Sequence, residues 1–173
     1  MAMRSPIFTQ LVDTVSDKMY RFACRMLGDG EDAKDVVQDA FVKLWHNREK
    51  LSGVTNPEAW CMRVIRNLCL DRFKAEKVRI EAARYLRTHA SSEELTPQGV
   101  MEQKELIRQL AGLWERLPEK QRMMLHLRDV EGFTYKEIAE ILHVTMADVK
   151  VGIFRARATL REYLAKQHAY GLS

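Results

Sequence analysis

A chain of 173 residues, 46% of them hydrophobic, is long enough for one domain or two small ones with their own cores, and too apolar to be disordered throughout. Its net charge of +4 and pI near 9.0 are modest for a nucleic-acid binder, so the placement of charge matters more than its total. No apolar run approaches the ~20 residues of a membrane span, and Met1 to Gln10 lacks the apolar centre of a signal peptide, so a cytoplasmic protein is expected.

The first element spans Phe8 to Leu27, where Phe8, Leu11, Val15, Met19, Phe22 and Met26 recur at the three-and-four spacing of a helix with one buried face. Gly28 ends it, and Asp29 caps a second helix with the core face Ala33, Val36, Val37, Ala40, Phe41, Leu44 and Trp45. Its opposite face is acidic, with Asp32, Asp35, Gln38 and Asp39. Taken alone, such a stripe is either solvated surface or an interface. Lys50 to Thr55 reads as a loop, and Asn56-Pro57 starts a third helix, because asparagine caps well and proline loses nothing at the first helical position.

That third helix runs well past Arg72, with Trp60, Val64, Ile65 and Leu68 toward the core. Arg63, Asn67, Asp71 and Lys74 share another face, with Arg66 beside them, and Met62 to Arg79 carries a local balance of +4. Two bases, an amide and a carboxylate on one stripe suit contacts to nucleic-acid backbone and base edges, and they equally suit a surface ion-pair network. The cysteines Cys24, Cys61 and Cys69 are odd in number and lie on apolar faces, which fits reduced, buried thiols. No close Cys or His pair has ligand spacing, so neither a metal nor any other cofactor is expected.

Thr88 to Gly99 is polar and nearly free of large apolar side chains, and reads as a linker. A helix resumes from Val100 through Trp114 with Leu106, Leu110, Leu113 and Trp114 inward, and Leu117-Pro118 opens another that ends near Gly132. Two capping boxes follow, Thr134 with Glu137 and Thr145 with Asp148. The first starts a helix from Tyr135 to Leu142 that buries Ile138, Ala139 and Leu142. The second starts a longer helix striped by Val149, Ile153, Ala156, Leu160 and Leu164, whose tail is expected to fray after Lys166. Only His143 and Val144 separate the first helix from the second cap, the pattern of a helix-turn-helix whose second helix enters the DNA major groove. Lys150, Arg155, Arg157, Arg161 and Lys166 against Asp148 and Glu162 give that helix a local charge of +3, which draws it toward phosphates. The fold class is therefore all-α, two small helical domains joined by a polar linker.

The runs Asp35-Val-Val-Gln-Asp-Ala-Phe-Val-Lys-Leu-Trp45 and Ala59-Trp-Cys-Met-Arg-Val-Ile-Arg-Asn-Leu-Cys-Leu-Asp71, with the capped helix pair ending in Phe154-Arg-Ala-Arg157, resemble regions two and four of bacterial sigma factors. The small two-domain size is similar to the extracytoplasmic-function class. The resemblance implies residues 1–87 as a region 2-like domain, 88–99 as linker and 100–173 as a region 4-like domain. It implies that Asp35, Gln38 and Asp39 bind core RNA polymerase and that Arg63, Arg66, Asn67, Asp71 and Lys74 meet the minus-ten element. Trp60 falls on the core side by helical phase. Thr145, Lys150, Val151, Arg155 and Arg157 are expected at the minus-thirty-five element, and an anti-sigma factor is an expected partner. Val151 and Gly152 stand where the family commonly has a small polar and a basic residue, which thins direct hydrogen bonding to bases. Gly152 also weakens the helix by about 1 kcal/mol relative to alanine.

A helix-turn-helix regulator that is not a polymerase subunit is the alternative, and it has no need of the Asp35 to Trp45 motif. A helical adaptor binding only protein would show no DNA affinity at either basic stretch. An enzyme is not expected, since the chain holds no phosphate-binding glycine loop and no G-x-S-x-G.

Overall fold

The computed structural model describes residues 6–87 and 112–170. The inferred linker and most of the helix expected from Val100, including Leu106 and Leu110, lie outside the described residues. Helix α1 (Pro6–Leu27) buries Val15, Met19, Phe22, Ala23 and Met26, with Phe8 and Leu11 packed half-buried against them. Gly28 follows at φ +74°, the left-handed conformation that lets the chain turn back. Asp29 then accepts from the amides of Glu31 and Asp32 at 2.8 and 2.9 Å and starts α2 (Gly30–His46).

Where a loop is expected from Lys50, a 3₁₀ helix runs from Arg48 to Gly53, because Leu51 tucks into the protein and winds the connection around itself. Helix α3 (Pro57–Arg87) begins at the expected cap, the Asn56 Oδ1 accepting from the Ala59 amide at 2.9 Å. Its fully buried residues are Cys61, Met62, Ile65 and Cys69, whereas Trp60, Val64 and Leu68 are only half-buried at the margin of the core. The inward direction is thus rotated from the expected one, because α3 is covered from two directions, by α1 and α2 and by a helix of the second half. All three cysteines are free, Cys61 and Cys69 buried with their thiols pushed up to about 12 by desolvation, and Cys24 only half-buried.

In the second half, residues 112–115 are helical and Leu113 is buried. Helix α4 (Glu119–Leu125) follows Pro118 and continues into a π-helical turn, His126–Val130, which Gly132 leaves at φ +77°. Helices α5 (Tyr135–Leu142) and α6 (Met146–Tyr170) form the expected pair. Ile141 joins Ile138 and Leu142 in the core and Ala139 is half-buried. On α6 the buried stripe is Val149, Ile153 and Ala156, Leu160 is half-buried, and Leu164 is 45% exposed, so the stripe ends earlier than its spacing suggests. The helix itself continues past Lys166 to Tyr170.

The two halves do not stand apart. Helix α5 packs against α3 and α4 touches α1, and the buried side chains of both halves join in one continuous cluster.

Candidate functional site

Three surfaces hold the residues singled out from the sequence. On α2, Asp35, Gln38 and Asp39 are all exposed, one turn apart, on the face opposite Ala33, Val36, Val37 and Ala40. Arg72 of α3 brings its Nη2 to 3.8 Å from Asp35 and 3.9 Å from Asp32. Both pairs are long and well solvated, so the stripe remains anionic toward solvent.

Along α3, Asn67, Asp71 and Lys74 are exposed in a row, but Arg63 and Arg66 are half-buried. Arg66 donates from Nη1 to Asn67 Oδ1 at 2.8 Å, while the Nε atoms of both arginines are buried without a hydrogen-bond partner. Burial pulls the Arg66 guanidinium below its ordinary pKa, and Glu119 on α4 offsets part of that. The structure therefore splits the expected five-residue face into an open end and a covered end.

The third surface is the helix-turn-helix. Thr134 and Glu137 close a reciprocal box: Glu137 Oε2 takes the Thr134 amide at 2.7 Å, and Thr134 Oγ1 takes the Glu137 amide at 3.3 Å. Hydrogen bonds from Thr134 and Asn56 hold the Glu137 carboxyl below the usual carboxylate range. The turn is made by His143 at φ +54°, the one non-glycine residue with positive φ among the described residues, and Val144 then donates its amide to the Ala139 carbonyl at 3.1 Å. Thr145 and Asp148 form the second box, with the Asp148 amide 3.1 Å from Thr145 Oγ1 and the Thr145 amide 3.2 Å from Asp148 Oδ2. The Thr145 hydroxyl, donating to Asp148 Oδ2 at 2.7 Å, and the Thr145 amide together hold the Asp148 carboxyl down as well.

Beyond that cap, Lys150, Val151 and Arg155 point to solvent as expected. Gly152 does not. It is buried against α4, and a Cβ at this position would come closer than 3.0 Å to Met124 Sδ, so its lack of a side chain serves close helix packing and removes nothing from the DNA face. Arg157 is already engaged, its Nε donating to Asp129 Oδ2 at 3.2 Å and its Nη2 to the other carboxylate oxygen. Sequence reasoning missed Phe154, which is 68% exposed three residues after Val151 and extends the apolar part of the outward face. The signal was present, because position 154 falls on the face opposite Val149, Ile153 and Ala156.

A fourth cluster was not anticipated. Glu131, its side chain fully buried, accepts from Arg21 Nε at 3.0 Å and Nη2 at 2.8 Å, with His126 Nε2 at 3.1 Å. Desolvation pushes His126 down to about 4 against the pull of Glu131, with Arg25 and Arg21 adding to the descent. One bidentate pair thus joins α1 to the second half. Nothing in the spacing of Arg21 and Glu131, 110 residues apart, could have paired them.

An acidic helix face, a polar stripe on a long third helix, and a capped helix-turn-helix with an outward basic helix define the class as an all-helical DNA-binding protein. A family model described as Sigma-70 region 2 matches residues 11–79, and one described as Sigma-70, region 4 matches residues 107–160. The ECF RNA polymerase sigma-E factor of Escherichia coli K12 is 30% identical over 161 residues, covering 88% of this chain and 84% of that protein. The chain belongs to the extracytoplasmic-function sigma factors.

SigW of Bacillus subtilis is 27% identical over 165 residues, 91% of this chain and 88% of that one. SigE of Mycolicibacterium smegmatis is 32% identical over 162 residues, 93% of this chain but 63% of that longer protein. The fold matches the sigma factor RpoE in complex with the anti-sigma factor NepR from Bartonella quintana, with a TM-score of 0.74 at 22% identity, over 91% of this chain and 96% of that one. It also matches CnrH in complex with the cytosolic domain of CnrY, with a TM-score of 0.66 at 24% identity, over 95% and 92%. A sigma factor binds core RNA polymerase, recognises promoter DNA and supports initiation of transcription. The region 2 match removes the case for a helix-turn-helix regulator outside the polymerase. No helix among the described residues is long and apolar enough to cross a membrane.

Proposed function

We propose that residues 1–87 form the domain that holds core polymerase and the minus-ten element, that 88–99 link it to the rest, and that 100–173 form the domain that reads the minus-thirty-five element. Asp35, Gln38 and Asp39 dock on the clamp helices of the polymerase largest subunit. Arg63, Arg66, Asn67, Asp71 and Lys74 take the minus-ten strand, where a cationic groove and hydrogen-bonding groups suit bases that leave the stack. Thr145, Lys150, Val151, Arg155 and Arg157 face the minus-thirty-five duplex, with Phe154 added to them. Lys150 and Arg155 reach phosphates while Val151 and Phe154 meet thymine methyl groups. The protein works in the cytoplasm, makes and breaks no covalent bond itself, and is held in check by an anti-sigma factor of the kind that accompanies RpoE in its solved complex.

The observation that carries this reading is the exposed acidic face of α2, which a DNA-binding regulator has no use for, on the same chain as an outward basic recognition helix. Run-off transcription with purified core polymerase tests it. Promoter-dependent transcripts are expected from the unsubstituted chain, and Asp35→Lys with Asp39→Lys should abolish core binding in a pull-down while leaving the circular dichroism spectrum intact. Undiminished pull-down by that folded variant overturns the interface assignment.

A further inference from the structure

Three buried polar atoms with unmet hydrogen-bonding capacity gather in one part of the molecule. Among the described residues, Trp114 Nε1, Arg122 Nε and His126 Nδ1 are shielded from solvent and have no hydrogen-bond partner. All three residues line one cleft of about 610 Å³, formed by the C-terminal end of α1, Phe73 of α3 and the start of the second half. Such groups are few in a folded chain, and each costs free energy until a partner arrives. Three around one cleft mark a place suited to receive that partner.

Their chemistry narrows what it is. The indole N–H of Trp114 and the Nε–H of Arg122 can only donate. His126 Nε2 lies 3.1 Å from Glu131 Oε1, so it carries the ring proton toward that carboxylate, and burial keeps the ring neutral. Its Nδ1 is therefore left as an acceptor. The rings of Trp114 and His126 are 6.4 Å apart centre to centre, so their polar edges fall within the span of one small molecule. Positive charge is in excess on the wall: Arg21 is occupied by Glu131, whereas Arg25 and Arg122 face one acid, Glu115, among the described lining residues. Arg25 lies 5.0 Å from the centre of the Trp114 ring, over its face, and the indole N–H projects from the ring edge. Met26, Leu27, Phe73 and Val130 make the wall apolar elsewhere.

Water is a poor match for this combination. One water takes about 30 Å³ of the liquid, so a cleft of this size holds a cluster, and a cluster against Met26, Phe73 and Val130 gives up hydrogen bonds on that side. The volume falls instead within the range of small-molecule sites, about 300–1,000 Å³. Inorganic phosphate would meet the donors and leave the apolar wall wet, and a hydrocarbon would leave the donors unmet. We propose that the cleft is a binding site for a small aromatic carboxylate that also carries a hydroxyl. The carboxylate accepts from Trp114 Nε1 and Arg122 Nε, the hydroxyl donates to His126 Nδ1, and the ring lies on the apolar wall. Nothing in this assignment depends on the promoter or polymerase residues named above.

The probe is 4-hydroxybenzoate, and its control is 4-hydroxybenzamide, which keeps the shape and drops the charge. In the isotope-labelled full chain the indole N–H resonance of Trp114 reports the site, and Trp114→Phe identifies it by its loss. Trp45 and Trp60 are not among the lining residues and serve as internal references. The Trp114 resonance should move saturably at a probe concentration on the order of 1 mM, with the other two still. Arg122→Met keeps the apolar stem and removes an Nε–H that has no partner in the protein. It should weaken binding about tenfold with an unchanged circular dichroism spectrum, and the amide control should bind the parent about tenfold more weakly than the acid. An unsaturated drift of all three indoles overturns the site and leaves a hydrated cleft. Full retention of binding by the folded Arg122→Met variant overturns the placement of the carboxylate, and equal binding of acid and amide overturns the anionic class of ligand.

Discussion

His126 is a histidine in a place that cannot hold its charge. Its side chain is fully buried between Phe22, Trp114 and Glu131, and the guanidinium groups of Arg21 and Arg25 face it from α1. With the folded value near 4 and the unfolded value near 6.5, the unfolded chain binds the extra proton. Stability is therefore fully present above about pH 6.5 and drains away as pH falls toward 4. Between about pH 7.5 and pH 5 the loss should be on the order of 2 kcal/mol. Urea unfolding at the two values checks it, and His126→Gln should flatten the difference. The depressed carboxyls of Glu137 and Asp148 do not contribute in that window, because both titrate below it.

Lys150 and Phe154 allow a second test at the same scale. Both are exposed and neither is held by an intramolecular partner that any described contact shows, whereas Arg157 is tied to Asp129. Lys150→Ala should weaken binding to every duplex and lower the log-log salt slope by about 0.9. Phe154→Ala should leave the slope unchanged and cost about 1 kcal/mol or more, selectively on sites that present thymine methyl groups. Titration of a duplex series at two salt concentrations separates the two behaviours.

The helix-turn-helix is specified by local chemistry at every join except one. Two capping boxes set the starts of α5 and α6, and an Ala at Thr145 should cost about 1 kcal/mol. The exception is His143, which adopts a left-handed conformation that a β-carbon resists. Its backbone lets the Val144 amide reach back to Ala139 and fixes the angle between the helices. His143→Gly should therefore stabilise the second domain, by up to about 1 kcal/mol after the greater freedom of unfolded glycine is deducted. A rise in Tm by circular dichroism is the expected result. Gly152 makes the contrasting case, since its backbone is ordinary helix and its constraint is the Met124 sulfur on α4.

For the molecule as a whole, docking of the halves couples their stabilities. The buried clusters are continuous across α1, α3, α4 and α5, so the chain should unfold in one calorimetric transition, and Arg21→Glu should split it in two as the domains come apart.

Much of this protein was decided within short stretches of sequence. The starts of α2, α3, α5 and α6 follow from Asp29, Asn56, Thr134 and Thr145 with the acids or amides beside them, because a cap is a bond between residues two or three apart. The acidic face of α2 and the outward Lys150, Val151 and Arg155 follow from helical period alone. Tertiary structure decided what period cannot see. It turned Met62 and Cys69 inward and left Trp60 at the margin, placed Gly152 against Met124, gave Arg157 to Asp129, packed α5 against α3, and left Arg63 and Arg66 half-buried. Each of these depends on a neighbour that the chain brings back from dozens of residues away, and the pairing of Arg21 with Glu131 exists only once both halves have folded and met.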